Sequence, residues 1–235
     1  MAFVYQVHGA PQKRRFDFIK GFSLTTWIVL INVIAFVFFI IMLSFYKDNP
    51  LFVYDNLAIK PSNIFSGYYY WTFLTSIFMH GGFFHLFANM ISLFFIGNLV
   101  EKLLGRKRYF WFYILSGLFA GLFFVLTAYV MMQMGYPGDF NTYAVGASGA
   151  LFALVGFLMI ITPNLPVFIM FIPIPVKMKY AAPGLLVVLW LISVAGNVPI
   201  GNTAHLGGLI AGLFYAFYIK KKYKRKSIAI SRYFS

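Results

Sequence analysis

Cysteine is absent and carboxylates nearly so: Asp17, Asp48, Asp55, Glu101 and Asp139 are the only acids in 235 residues. Without thiols there can be no disulfide, no thiolate nucleophile and no cysteine-based metal site. The five acids are scattered, and none forms a pair within an apolar segment. That disfavours aspartyl chemistry and leaves no obvious acid to complete a catalytic triad. No HExxH occurs and no carboxylate lies close in sequence to the histidines, so neither a metal nor a cofactor is expected. Charge of any kind is scarce, at 10% of residues against 61% hydrophobic and 21% aromatic. With a mean hydropathy of +0.82, that is too little charge to cover a soluble domain. No internal repeat or low-complexity tract is evident.

Long charge-free runs take the place of the missing charge. They extend over Gly21–Tyr46, Pro61–Val100, Tyr109–Gly138, Phe140–Val176 and Tyr180–Ile219. Each exceeds the roughly 20 apolar residues that cross a bilayer core, which makes this an all-α polytopic membrane protein. The net charge of +14 could suggest nucleic acid, but the cations are placed otherwise. All but Lys47 and Lys60 fall in four clusters: before the first run, at 102–108, at Lys177 and Lys179, and in the tail from Lys220 to Arg232. Four cytoplasmic clusters satisfy the positive-inside rule for six spans with both termini inside. The tail then reads as topology plus attraction to the anionic lipid bilayer surface, with no nucleic-acid partner.

The spacing of breakers predicts a leader at 1–21, a six-span domain at 22–219 and a basic cytoplasmic tail at 220–235. The first run is too long for a signal-peptide core and lacks a small-residue cleavage site, so it is expected to remain as an anchor. The spans are predicted near Phe22–Phe45, Phe83–Leu103, Phe110–Met132, Val145 to before Pro163, Ala182–Ala195 and Thr203–Tyr218. An outside loop with breakers Pro50, Pro61 and Gly67 covers 46–71, and Tyr68–Trp71 suits the headgroup interface. Pro163, Pro166, Pro173 and Pro175 predict an irregular cytoplasmic interfacial loop at 163–176. GNVPIGN joins the last two spans outside.

Polar groups in lipid are costly, so intramembrane His, Asn and Ser residues mark candidate chemistry. His8 lies in the leader. His80, His85 and His205 fall at the outer ends of spans two and six, and Ser148 is placed about one turn into span four from the outside. The topology alone therefore brings Ser148, His85 and His205 to similar depth. In GASGA, residues 146–150, small neighbours leave the Ser148 hydroxyl uncrowded beside the free N–H groups of a helix start, which suit an oxyanion. Gly146 and Gly149, with Ala153 and Gly156, equally suit close helix packing. In AHLGGLIAG, Ala204, Gly208 and Gly212 share a face and His205 sits beside that seam. Such a histidine can be a structural donor or a base. Two small-residue seams allow the approach that a serine–histidine hydrogen bond needs, and a Ser148–His205 dyad remains after the other chemistries are removed. His85 and Asn89, spaced i and i+4, share a helical face and carry N–H donors for a developing oxyanion. His80 is off that face and is read as orienting the preceding loop.

The segments WTFLTSIFMHGGFFHLFANMISLFFIGNLVEKLLG, GASGALFALVG and AHLGGLIAGLF resemble, in order, the three signature regions of rhomboid intramembrane serine proteases. The resemblance covers Trp71 to Phe214 and implies a six-helix rhomboid-like bundle. It implies Ser148 as nucleophile, His205 as general base, and His85, Asn89 and the Ser148 N–H as oxyanion donors. Glu101, before Gly105, resembles a structural acid that bonds loop or helix-end groups. Two departures stand out. Thr72 follows Trp71 where many members have arginine, and Phe152 stands where many bacterial members have a tyrosine that stacks on the histidine. The implied activity is peptide hydrolysis in single-span transmembrane protein substrates, in a cell membrane, with the site toward the outer side. A catalytically silent relative that binds transmembrane helices is the alternative, and a transporter is disfavoured because no charged intramembrane pathway or pseudo-symmetry is visible.

Overall fold

The computed structural model describes residues 21–169, 174–196 and 201–234. The predicted leader with His8, the breaker Pro173 and most of the GNVPIGN loop lie outside them. The described chain is almost wholly helical because backbone N–H and C=O groups in lipid must be satisfied within the segment. Helix α1 (Leu24–Phe45) starts at Ser23, whose Oγ accepts from Thr26 N–H. Two short helices, α2 (Pro50–Leu57) and α3 (Pro61–Phe65), and the single turn α4 (Thr72–Thr75) follow. Next come α5 (Phe83–Leu104), with a π-helical turn at Leu93–Gly97, and α6 (Arg106–Gln133). Helix α7 (Ser148–Ile161) leads into the two-residue strands β1 (Pro166–Val167) and β2 (Val176–Lys177), which pair antiparallel. Helices α8 (Met178–Gly196), α9 (Asn202–Lys222) and α10 (Lys224–Tyr233) complete the chain.

Helices α1, α5, α6, α7, α8 and α9 form the bundle. Four of them, α1, α5, α6 and α8, are long and apolar enough to cross a bilayer. The two that carry GASGA and AHLGGLIAG are different. α7 has only 14 residues, nearly all buried, so protein surrounds it and its length need not match the hydrocarbon core. α9 has 21 residues but begins Asn-Thr-Ala-His and ends in three lysines. It packs along α7 more extensively than any other pair of elements. Gly208 faces the Gly149 carbonyl and Gly212 the Ala153 carbonyl. The same four-residue step on both helices means that they run parallel, entering from one side.

Several local expectations need correction. Span four begins at Ser148, not near Val145, so Ser148 is the first residue of the helix rather than one turn inside it. The cause lies just before it: Gly146 has φ +122°, a conformation open to glycine, and breaks the helix there. Within the 46–71 loop, Pro50 and Pro61 act as helix starts and not only as breakers, opening α2 and α3. Proline at a first helical position loses only an N–H that had no helical partner. The 163–176 segment contains the β1–β2 pairing, span five starts four residues earlier than Ala182 and contains Pro183, and α9 runs on to Lys222.

Candidate active site

Ser148 lies in the first turn of α7 and His205 in the first turn of α9. The seam between the helices brings Ser148 Oγ within 2.8 Å of His205 Nε2. No Cβ could be added at Gly208 without striking the Gly149 carbonyl, and one at Gly156 would meet Leu209 O at 2.7 Å. These glycines let the two backbones touch, and that contact sets the dyad distance. Phe152, one turn below Ser148, stacks on the His205 ring with centroids 4.6 Å apart and planes at 20°. The phenyl ring fixes the imidazole plane by apolar contact alone. His205 is buried, and its Nδ1 has no hydrogen-bond partner among the described residues. Among the described residues Ser148 and His205 form a hydrogen-bonded pair, with Phe152 stacked on the imidazole and no acid bonded to it.

Backbone donors lie beside the hydroxyl. Leu151 N–H bonds Ala147 O at 2.9 Å, whereas the N–H groups of Ser148, Gly149 and Ala150 make no backbone hydrogen bond among the described residues. Helix geometry leaves these first amides free, at the positive end of the α7 dipole. His85 stands opposite them. A Cβ at Gly146 would meet His85 Nε2 at 2.9 Å and Ser148 Oγ at 3.5 Å. The absence of a side chain at 146 therefore opens a space bordered by both groups.

Asn89 is placed differently. Its Nδ2 donates to the His85 carbonyl one turn back, at 2.8 Å, and its Oδ1 is buried without a partner among the described residues. Its shared face with His85 exists, but its amide turns along its own helix. Only its second N–H, or a rotation of the amide, could serve an anion. His80 is fully buried and meets His85 edge to face at 5.2 Å. Neither of its ring nitrogens reaches a partner in hydrogen-bond geometry among the described residues.

Glu101 is remote from the dyad. It accepts Leu24 N–H and Thr25 N–H, each at 2.8 Å, and the Thr25 hydroxyl at 2.8 Å. A carboxylate on the free amides of a helix start is well placed electrostatically, and here it fastens α1 to α5. Thr72 is fully buried and donates its hydroxyl to Tyr69 O at 2.6 Å. It closes a local turn onto the residue three positions back.

Sequence reasoning missed the frame that holds the Ser148 approach. Tyr143 donates its hydroxyl to Asp55 Oδ1 at 2.6 Å, and Asn63 Nδ2 donates to the same oxygen at 2.7 Å. Burial first, and then the Asp55 carboxylate, raise the Tyr143 pKa above the ordinary tyrosine value, so it remains a donor. Ile59 and Ala144 exchange backbone hydrogen bonds, and Gly146 N–H bonds Ser76 O at 2.8 Å. Loop residues far apart in sequence thus pin the segment entering α7. Nothing in their spacing signals the pairing.

A family model described as the Rhomboid domain matches residues 68–222. The chain is similar to RHOMBOID-like protein 5 of Arabidopsis thaliana, at 35% identity over 151 residues, which are 63% of this chain and 43% of that protein. It is 33% identical to RHOMBOID-like protein 1 of the same plant over 190 residues, 75% of this chain and 43% of that protein. Rhomboid protease GlpG of Salmonella choleraesuis (strain SC-B67) is 28% identical over 221 residues, 90% of this chain and 70% of that protein. The chain therefore spans less than half the length of the two Arabidopsis proteins.

Proposed function

The chain belongs to the rhomboid family of integral membrane proteins, and from that premise we propose that it is an intramembrane serine endopeptidase. The observation that carries the proposal is the 2.8 Å contact between Ser148 Oγ and His205 Nε2 at the start of the most enclosed helix. His205 takes the proton of Ser148 as Oγ attacks the substrate carbonyl. The proton then passes to the leaving amine, and a water activated by the same imidazole hydrolyses the acyl-enzyme. The developing oxyanion is met by the free Ser148 N–H and by His85, with Asn89 contributing its second N–H. Phe152 keeps the imidazole in plane. Gly146, Gly149 and Gly208 keep the space and the helix contact that the reaction needs.

The substrates proposed are single-span membrane proteins. Their helices must loosen locally, because a helical peptide bond is shielded by its own hydrogen bonds. The 22–219 segment is the proposed catalytic unit, with the leader 1–21 and the tail 220–235 on the cytoplasmic side of a cell membrane and the dyad toward the other side. The cation distribution supports that orientation.

The test is cleavage of a labelled single-span substrate by purified protein in liposomes, with Ser148→Ala beside wild type and fluorophosphonate labelling in parallel. Loss of both signals with unchanged folding is expected. Near-normal turnover by Ser148→Ala would remove the serine mechanism. Substrate binding without cleavage by wild type would instead favour a catalytically silent helix-binding relative.

A further inference from the structure

We propose that the groove between α6 and α9 is a binding site for one anionic phospholipid. Its acyl chain would lie between the helices and its headgroup would rest on Lys107 and Arg108. The groove encloses about 600 Å³. Trp111, Phe112, Leu115 and Phe119 of α6 and Ala211 and Phe214 of α9 make its walls almost entirely apolar. Of the two hydroxyl-bearing residues that line it, Ser116 and Tyr215, Ser116 is turned back onto Tyr113 O at 3.1 Å.

Polarity is confined to one end. Arg108 is steadied there by the Tyr223 hydroxyl at 3.0 Å and lies over its ring at 5.2 Å. Lys222 Nζ donates to Tyr218 OH at 2.9 Å. Tyrosines of this kind suit headgroup depth. Among the described residues Glu101 is the carboxylate at this end, and it is committed to the start of α1 and to Arg106 at 3.9 Å. Lys107 and Arg108 therefore border an apolar slot with no acid to neutralise them among the described residues. Their charge complements a phosphate carrying an additional negative charge.

Charge decides between occupants. The apolar walls suit any hydrocarbon surface, but Lys107 and Arg108 at one end favour an occupant that carries a phosphate at the end of an apolar chain. Its headgroup end lies beside Tyr223, at the end of α9 remote from His205, and the site does not depend on the proteolytic reading.

Native mass spectrometry of the purified full chain tests the proposal, titrating phosphatidylglycerol against phosphatidylcholine of identical acyl chains. One phosphatidylglycerol should bind at least about tenfold more tightly than phosphatidylcholine. Each cation near a headgroup contributes on the order of fivefold, so Lys107→Gln/Arg108→Gln should weaken it by about 30-fold. Both side chains are exposed, and thermal unfolding should not move. Ala211→Phe should obstruct the slot and weaken binding of both lipids. Lys224→Gln/Arg225→Gln/Lys226→Gln should leave the one-to-one complex intact. Equal affinity for the two lipids, or loss on changing the α10 cations but not Lys107 and Arg108, would overturn the proposal. So would a dimer that dissociates on Ala211→Phe, which would assign the groove to a second copy.

Discussion

Gly208→Ala isolates the helix contact that sets the dyad, because the added methyl points at the Gly149 carbonyl, a backbone atom that no rotamer change can move aside. Real Cβ contacts begin at 3.0 Å, so α9 must withdraw from α7 by about 1 Å, a misplacement of the size that costs about 10²-fold in rate. His205 lies one turn from residue 208 on the same helix and would move with it. A hydrogen bond of 2.8 Å stretched by that amount no longer meets hydrogen-bond geometry. The expected loss is therefore about 10²-fold in kcat, roughly 2.7 kcal/mol at the transition state. Overpacking should cost about 1–3 kcal/mol of stability. Gly207→Ala is the control on another face, since its methyl would meet Phe123 Cβ of α6 at 2.6 Å and so strains the α6–α9 contact instead of the α7 seam. It should lower stability with a much smaller rate effect. The assay is steady-state cleavage in liposomes beside thermal unfolding, with substrate saturation separating kcat from KM. If Gly208→Ala keeps kcat within about threefold of wild type, against the 10² expected, the seam does not set the dyad distance and the reasoning fails.

His85→Ala and Asn89→Ala should each lower kcat far more than they raise KM, with about 10²–10³ lost for a single oxyanion donor. A fully active Asn89→Ala beside a dead His80→Ala would move the oxyanion role to another face of α5. Glu101→Gln should destabilise by about 1.5–3 kcal/mol, the range for hydrogen bonds to a charged group. It should leave kcat near wild type below the melting transition, and a rate loss without a stability loss would contradict its place at the start of α1. Reporter fusions within 133–141 should read as outside and a fusion after Ser235 as cytoplasmic, and a cytoplasmic reading at residue 138 would refute the proposed orientation.

α1 and α5 match the expected spans to within two residues, whereas α6 and α8 each start four residues early, at Arg106 and Met178, because the polar first turn of a helix carries no hydropathy signal. The start of α7 slipped where apolar side chains meet protein instead of lipid. Val145 and Ala147 look helical by hydropathy, yet the backbone turn at Gly146 excludes them from α7. Pro50 and Pro61 were legible as breaks, but not as helix starts, because proline at a first helical position and proline in a loop look alike in sequence. The shared face of His85 and Asn89 follows from spacing, whereas the turn of the Asn89 amide onto the His85 carbonyl depends on what surrounds it.

Composition and order were enough to specify a polytopic helical membrane protein, its approximate spans and the residues able to carry chemistry. Scarcity made those conclusions possible: with no cysteine and few acids and histidines, little else could serve as nucleophile or base. Only the tertiary structure decided which helix is central and how closely the helices approach. Hydropathy is the same for a side chain facing lipid as for one facing another helix, so it cannot rank α7 above α1. The contacts of Gly208 with Gly149 and of Tyr143 with Asp55 join segments that sequence spacing does not connect. Packing, not pattern, brings Ser148 to His205.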